Sequence, residues 1–245
     1  MIYLYLWIIA TILAYLIKGL CGFANTLVFT SVLSFSKSNA DISPIDLLLG
    51  YPSNIILTFK NRKSLNPKIF LPLAALVLIG NIPGAVILRN VNTYAVKTIF
   101  GFVVVFLGTE MFIREFKTKN SPSSKYVLGI IGILSGILCG MFGVGALLAA
   151  YIGRVTKSDS TFKANISAVF IIENTFRIFL YYALNLLTFN TVKAVIPLIP
   201  FAFLSLFAGI KISSKLNEKT VRKATSVLII ISGIFLIFKN IILFI

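Results

Sequence analysis

The sequence predicts an all-α, polytopic helical membrane protein made of two inverted repeats. Each repeat is expected to hold a broken or hairpin first segment followed by three transmembrane helices. Three observations carry this. Of 245 residues, 58% are apolar and 12% charged, and the mean hydropathy is +0.98, beyond the range of ordinary water-soluble domains. Apolar stretches of about 20 residues, the length that crosses a hydrocarbon core of about 30 Å, fill most of the chain. The layout of those stretches also occurs twice.

In chain order the stretches are 2–35, interrupted at Lys18-Gly19 and Gly22; 42–59; 69–88; and 93–113. A basic, Ser-rich linker follows. The series resumes with 126–152, interrupted across 136–145, then 162–187, 192–212 and 221–244. Residue matches support the repetition. Cys21-Gly22 precedes Cys139-Gly140 by 118 positions, and Asn54 precedes Asn174 by 120. Gly84, Asn92, Val96, Lys97 and Gly108 precede Gly209, Asn217, Val221, Arg222 and Gly233 by 125. The organisation is therefore a first membrane repeat over 1–116, a cytoplasmic linker over 117–125 and a second repeat over 126–245.

Loop charge decides between parallel and inverted repeats. If each interrupted segment crossed once, the loop cations would divide 11 to 10 between the two sides, with no orientation signal. If each is a pair of short helices folded into a hairpin, the division becomes 16 to 5, the five being Lys37, Arg89, Lys97, Lys193 and Lys239. The positive-inside rule favours the hairpin and makes the cation-rich face cytoplasmic. Both termini then lie outside, and each half crosses an odd number of times, which inverts one against the other.

The net charge of +16 thus reports topology and contact with anionic lipid rather than nucleic-acid binding. The chain has no His and two Cys, an inventory that disfavours membrane enzymes and zinc or haem sites and supplies no disulfide framework. No cofactor is called for. The absence of a Gly-Lys-Ser/Thr phosphate loop leaves ATP out as a direct energy source, so a proton or sodium gradient or simple exchange would have to serve. Residues 1–17 lack a positive n-region and a small-residue cleavage site, so they read as a retained membrane segment.

The paired Gly-interrupted segments are the best pointer to a binding site, because broken helices expose backbone N–H groups in mid-membrane, where they attract anions. They nominate Lys18, Gly19, Cys21, Gly22 and Asn25 in the first half and Cys139, Gly140, Gly143 and Gly145 in the second. Close helix packing is the alternative use of such glycines, and small apolar packing is the alternative for the two thiols. In the stretch 162–187, helical spacing aligns Ser167, Asn174, Tyr181 and Asn185 with Arg177 beside them. Glu173, four residues before Arg177, is a ready partner. Arg177 either donates to a bound oxyanion, with Glu173 balancing it, or forms a self-neutralised structural pair. Asn54, the match of Asn174, is a cavity-lining candidate with Asp46, which is expected nearer an interface. Lys18 plus Arg177 minus Glu173 leaves +1, which favours an anionic substrate; Glu173 and Asp46 are the inner carboxylates available for coupling.

These residues resemble the sulfite exporter TauE/SafE family of permeases. The resemblance rests on Gly19-Leu-Cys-Gly-Phe-Ala, on Gly136-Ile-Leu-Cys-Gly-Met-Phe-Gly-Val-Gly145 followed by Tyr151, on Lys163-Ala-Asn with Asn174 and Arg177, and on Gly84, Gly108, Gly209 and Gly233. It departs from the family where Thr30-Ser31 and Ala146-Leu147 stand in place of the usual Pro. The resemblance implies movement of sulfite, sulfoacetate or a similar small anion across a bacterial inner membrane, export being the commoner assignment. The resulting expectation is a secondary transporter working by alternating access at the repeat interface, homo-oligomerisation being left open. A non-transporting subunit or scaffold is the competing class.

Overall fold

The computed structural model describes residues 2–33, 37–90, 93–114, 125–156 and 158–242, and among them every regular element is a helix. All of the expected linker except Lys125 lies outside these residues. The helices are α1 (Ile2–Cys21), α2 (Asn25–Leu33), α3 (Asn39–Lys60), α4 (Pro67–Asn90) and α5 (Thr93–Arg114), followed by α6 (Lys125–Phe142), α7 (Ala146–Val155) and α8 (Asp159–Ala183). Then α9 (Phe189–Val195) runs through a 3-10 turn into α10 (Ile199–Ser213), and α11 (Glu218–Ile242) ends the series. Among the described residues, five stretches are long and apolar enough to cross a membrane: Leu4–Cys21, Ala40–Lys60, Pro67–Arg89, Asp159–Ala183 and Phe189–Ser213.

Two of the polar-containing helices start alike. Ser38 caps α3 by accepting from the Asp41 N–H, and Ser158 caps α8 by accepting from the Thr161 N–H. Each also has an Asp in its first turn, which complements the helix dipole. The sorting of side chains is that of a membrane bundle: Leu71, Ile79 and Ile82 of α4 and Phe102 and Phe106 of α5 point outward, whereas Lys18, Asp46, Glu173 and Arg177 are each at most 3% exposed. Charges inside lipid are tolerated only when turned toward protein or water.

The first interrupted segment is a hairpin. Between Trp7 and the end of α1 lies about 20 Å of helix, yet the Trp7 and Phe29 rings sit 5.7 Å apart, so α2 must run back along α1. The reversal is made by Gly22 at φ +87°, whose N–H bonds to the Lys18 carbonyl at 2.7 Å. The arms are unequal rather than a pair of short helices: α1 has 20 residues and α2 nine. Length alone would let α1 span, but Tyr15 meets Asp46 and Lys18 meets Gly50, which stops α1 beside the middle of α3. The second segment repeats the device with 18 and 10 residues. Gly143 takes φ +72° and its N–H bonds to the Cys139 carbonyl, also at 2.7 Å.

Four helix contacts organise the rest. α3 and α8 run antiparallel, joined by Ser43 to Tyr181 and by Tyr51 to Thr175, each pair of hydroxyls 2.9 Å apart. α5 and α11 are also antiparallel, Gly101 lying against Ile237 and Val105 against Gly233. α1 packs along α10, and α4 along α6, through glycines at which any added Cβ would press into the facing backbone. Gly19 faces Leu206 and Ile210, while Gly140 faces Asn81 and Ala85; Gly209 faces Leu16, while Gly84 faces Ile137. The two glycine contacts are in strict register. α6 positions lie 121 after their α1 counterparts, and α10 positions lie 125 after their α4 counterparts.

That register corrects the spacing read from the sequence. Gly22 corresponds to Gly143 and Gly19 to Gly140, so the Cys-Gly dipeptides lie one helical turn out of step. Helix ends are fixed by the left-handed glycine, which the dipeptide match does not mark in α6.

Candidate functional site

The two hairpin tips meet α3 and α8 at mid-length around a small polar cavity lined by Lys18, Asn25, Thr26, Asp46, Gly50, Asn54, Gly143, Phe170, Asn174 and Arg177. A small adjoining hollow separates the breaks themselves, with Phe23 to Leu27 on one side and Gly143 to Ala146 with Phe170 on the other. The starts of α2 and α7 therefore face one space.

On the first side, Asp46 is 2% exposed and well supplied with donors. The Asn25 amide donates to both of its oxygens at 2.9 and 3.1 Å, the Tyr15 hydroxyl donates at 3.1 Å, and the Thr26 hydroxyl makes a further short bond. Lys18 donates to the Gly50 carbonyl at 3.3 Å and lies over the Tyr15 ring. Asp46 is thus inside the cavity, not near an interface: seven residues into α3, it is level with Tyr15 and the start of α2. Counting it changes the charge balance from +1 to zero.

On the second side, Arg177 is held at three points. Its Nη1 donates to the Cys139 carbonyl at 2.6 Å and its Nη2 to Asn174 Oδ1 at 2.9 Å, while Nε lies 3.1 Å from Glu173 Oε1 without aiming its N–H there. Glu173 stands behind Arg177, fully buried, and accepts from the Asn81 amide at 2.7 Å. The start of α7 is capped by no side chain, and Gly145, Ala146 and Leu148 around it are buried. Buried first-turn N–H groups without a cap call for another acceptor.

Of the residues singled out in the sequence, Lys18, Asn25, Asp46, Asn54, Gly143, Asn174 and Arg177 come together on the cavity, and Gly145 borders the hollow between the tips. Gly19 and Gly140 lie in helix contacts, and Gly22 faces the Lys163 stem. The Cys21 thiol donates to the Ile17 and Phe23 carbonyls and the Cys139 thiol to Val144, each bracing a break from within. Tyr181 bonds the Gly140 carbonyl at 2.8 Å and Ser43, which ties α8 to α6 and α3. Asn185 lies past the end of α8, exposed. Thr26, Gly50 and Phe170 line the cavity without having been singled out. A stripe at spacing four, Asp46-Gly50-Asn54, and its counterpart Phe170-Asn174 would have pointed to two of them. No three His, Cys, Asp or Glu side chains cluster among the described residues. The donor set suits an oxyanion: amides, an ammonium, a guanidinium and bare helix N–H groups.

These features define a multi-pass helical membrane protein with a polar cavity between two broken segments. The chain belongs to the sulfite exporter TauE/SafE family of membrane transporters, whose model matches residues 7–236, nearly the whole length. No curated protein matches it, and no solved structure does.

Proposed function

We propose that the protein is a secondary transporter that exports sulfite, an organosulfonate or a similar small oxyanion by alternating access around this cavity. The observation that carries the reading is the uncapped, buried start of α7 on a hollow that adjoins the cavity of Arg177 and Lys18 and shares Asn25, Thr26, Gly143 and Phe170 with it. With Asp46 counted, full charges cancel, so anion selectivity rests on N–H donors and on the helix starts, each equivalent to about half a positive charge. The antiparallel pairing of α3 with α8 and of α5 with α11, and the matched glycine contacts, support two inverted repeats over 1–116 and 126–245 as the moving parts. Cytoplasmic loops rich in Lys and Arg would set both termini outside a bacterial cytoplasmic membrane.

Counterflow of labelled sulfite into proteoliposomes tests this, with sulfonates, sulfate and carboxylates as competitors. Saturable, competed uptake that Arg177→Ala abolishes in folded, inserted protein supports the reading. The Arg177–Glu173 contact favours a second reading, a non-transporting scaffold stabilised by a buried pair. That reading stands if wild type moves no anion and Arg177→Ala only destabilises. Topology is checked separately: single thiols near Ser64 should react only from the cytoplasm and one near Asn190 only from outside.

A further inference from the structure

Behind Arg177, two buried acceptors lack partners among the described residues: Glu173 Oε2 and Asn81 Oδ1. They belong to the two groups that already share one hydrogen bond, Asn81 Nδ2 to Glu173 Oε1 at 2.7 Å. A carboxylate facing a carboxamide offers one donor pair too few, because both remaining atoms accept. A protonated carboxyl removes the mismatch. Its O–H would add the donor that the pair lacks, for the amide oxygen to accept, while the amide N–H keeps its bond to the other carboxyl oxygen. Both groups are fully buried, where unsatisfied acceptors are costly.

We propose that Glu173, paired with Asn81, is the proton-carrying site of the transporter, and that a proton there exchanges Arg177 from Glu173 to the substrate anion. This rests on the transport reading above. When the carboxyl is protonated, Arg177 loses its counter-charge while its guanidinium still lines the cavity, so anion binding and proton binding support each other. The proton enters from water on one side and leaves to water on the other with the anion, and no bond other than O–H is made or broken. The groups acting on Glu173 are Arg177 and Tyr181 on its own helix, Lys18 on α1, Asn81 on α4 and the Cys139 thiol on α6; Asp46, from α3, acts on Arg177. The matching place in the other half is unlike it. Positions 120 and 125 away from Glu173 and Asn81 are Ser53 and Leu206, which line an apolar hollow. The scaffold does not require a carboxyl–amide pair there.

The test uses purified full-length protein in proteoliposomes with a trapped pH dye and labelled sulfite added outside, the vesicles being either free of sulfite, to read net uptake, or loaded with unlabelled sulfite, to read exchange. Glu173→Gln supplies the same donor and acceptor as the protonated acid, so it should fold. Wild type should couple net sulfite uptake into sulfite-free vesicles to proton entry and respond to an imposed pH gradient. In Glu173→Gln net uptake and its proton signal should both fall by about tenfold or more, by a larger factor than exchange falls, because only net movement needs the proton to leave. Net sulfite uptake in wild type with no proton movement, or equal proton movement in Glu173→Gln, overturns the proposal and leaves transport standing. No sulfite exchange in wild type counts against transport itself. An infrared titration without any anion then decides the proton site: a protonated-carboxyl band present in wild type and missing in Glu173→Gln supports it, and identical bands in both overturn it.

Discussion

The two hairpin tips use the same backbone device with opposite chemistry. Both turn on a left-handed glycine that closes the preceding helix, and both begin a short helix at the hollow between the tips. At the start of α2, however, the protein supplies its own carboxylate, Asp46, bound by the side chains of Asn25 and Thr26. The start of α7 has no such group: the position 120 after Asp46 is Ile166, Gly145 provides no side-chain cap, and the neighbouring charge is Arg177. One tip therefore holds a resident anion, and the other a buried helix start with no side-chain cap. On the transporter function proposed above, the substrate belongs on the α7 side and Asp46 fixes the other tip.

The largest effect should come from changing the shape of the cation on the α7 side without its charge. Arg177→Lys keeps one positive charge but loses the fork that reaches Cys139, Asn174 and Glu173 together. Sulfite exchange should fall by about a hundredfold, the worth of a forked charge-assisted contact. Exchange within a few-fold of wild type would break the comparison, since a point charge would then suffice.

The two left-handed glycines offer a sharper contrast. Gly143→Ala and Gly22→Ala should each cost about 1–2 kcal/mol in thermal unfolding from the backbone alone. Their neighbours differ: a Cβ at Gly143 would come 2.6 Å from Arg177 Nη1, and one at Gly22 would come 2.7 Å from the Lys163 side chain. Exchange should drop about tenfold only in Gly143→Ala, because only there is a donor displaced from the cavity. A smaller, symmetric effect is expected at the helix contacts. Gly19→Ala and Gly140→Ala press into equivalent backbone and should each destabilise by about 1–3 kcal/mol. Unequal losses would argue against the two contacts being copies.

What the sequence made legible was whatever depends on local pattern: apolar length, Gly interruptions, and the polar stripe holding Asn174 and Arg177. The hairpins were legible through loop charge, because only a reversal sorts the cations. What stayed hidden depends on register between distant helices. The Cys-Gly match misled by one turn because a dipeptide does not say where a helix stops. Asp46 reads as a cavity-lining candidate nearer an interface because nothing local shows that Asn25, Thr26 and Tyr15 converge on it. Asn81 gives no signal, because an amide in an apolar stretch does not reveal that Glu173 lies opposite, 92 residues later.

Asp46→Asn should have the mildest effect on transport. Asn keeps one acceptor for Asn25 and Tyr15 but turns an amide N–H₂ toward donors, so about 1–2 kcal/mol of stability should be lost. The substrate contacts assigned to the α7 side are untouched, so sulfite exchange should stay within about tenfold of wild type. Removing a fixed negative charge from the cavity also lessens repulsion of an incoming anion, so the concentration for half-maximal uptake should fall rather than rise. Proton movement should persist, because the carrier proposed above is Glu173. Measuring sulfite dose-response and trapped-dye signals on the same vesicles checks all three outcomes together. A variant that folds yet loses exchange as completely as Arg177→Lys would show that the resident carboxylate works with the substrate rather than in its stead.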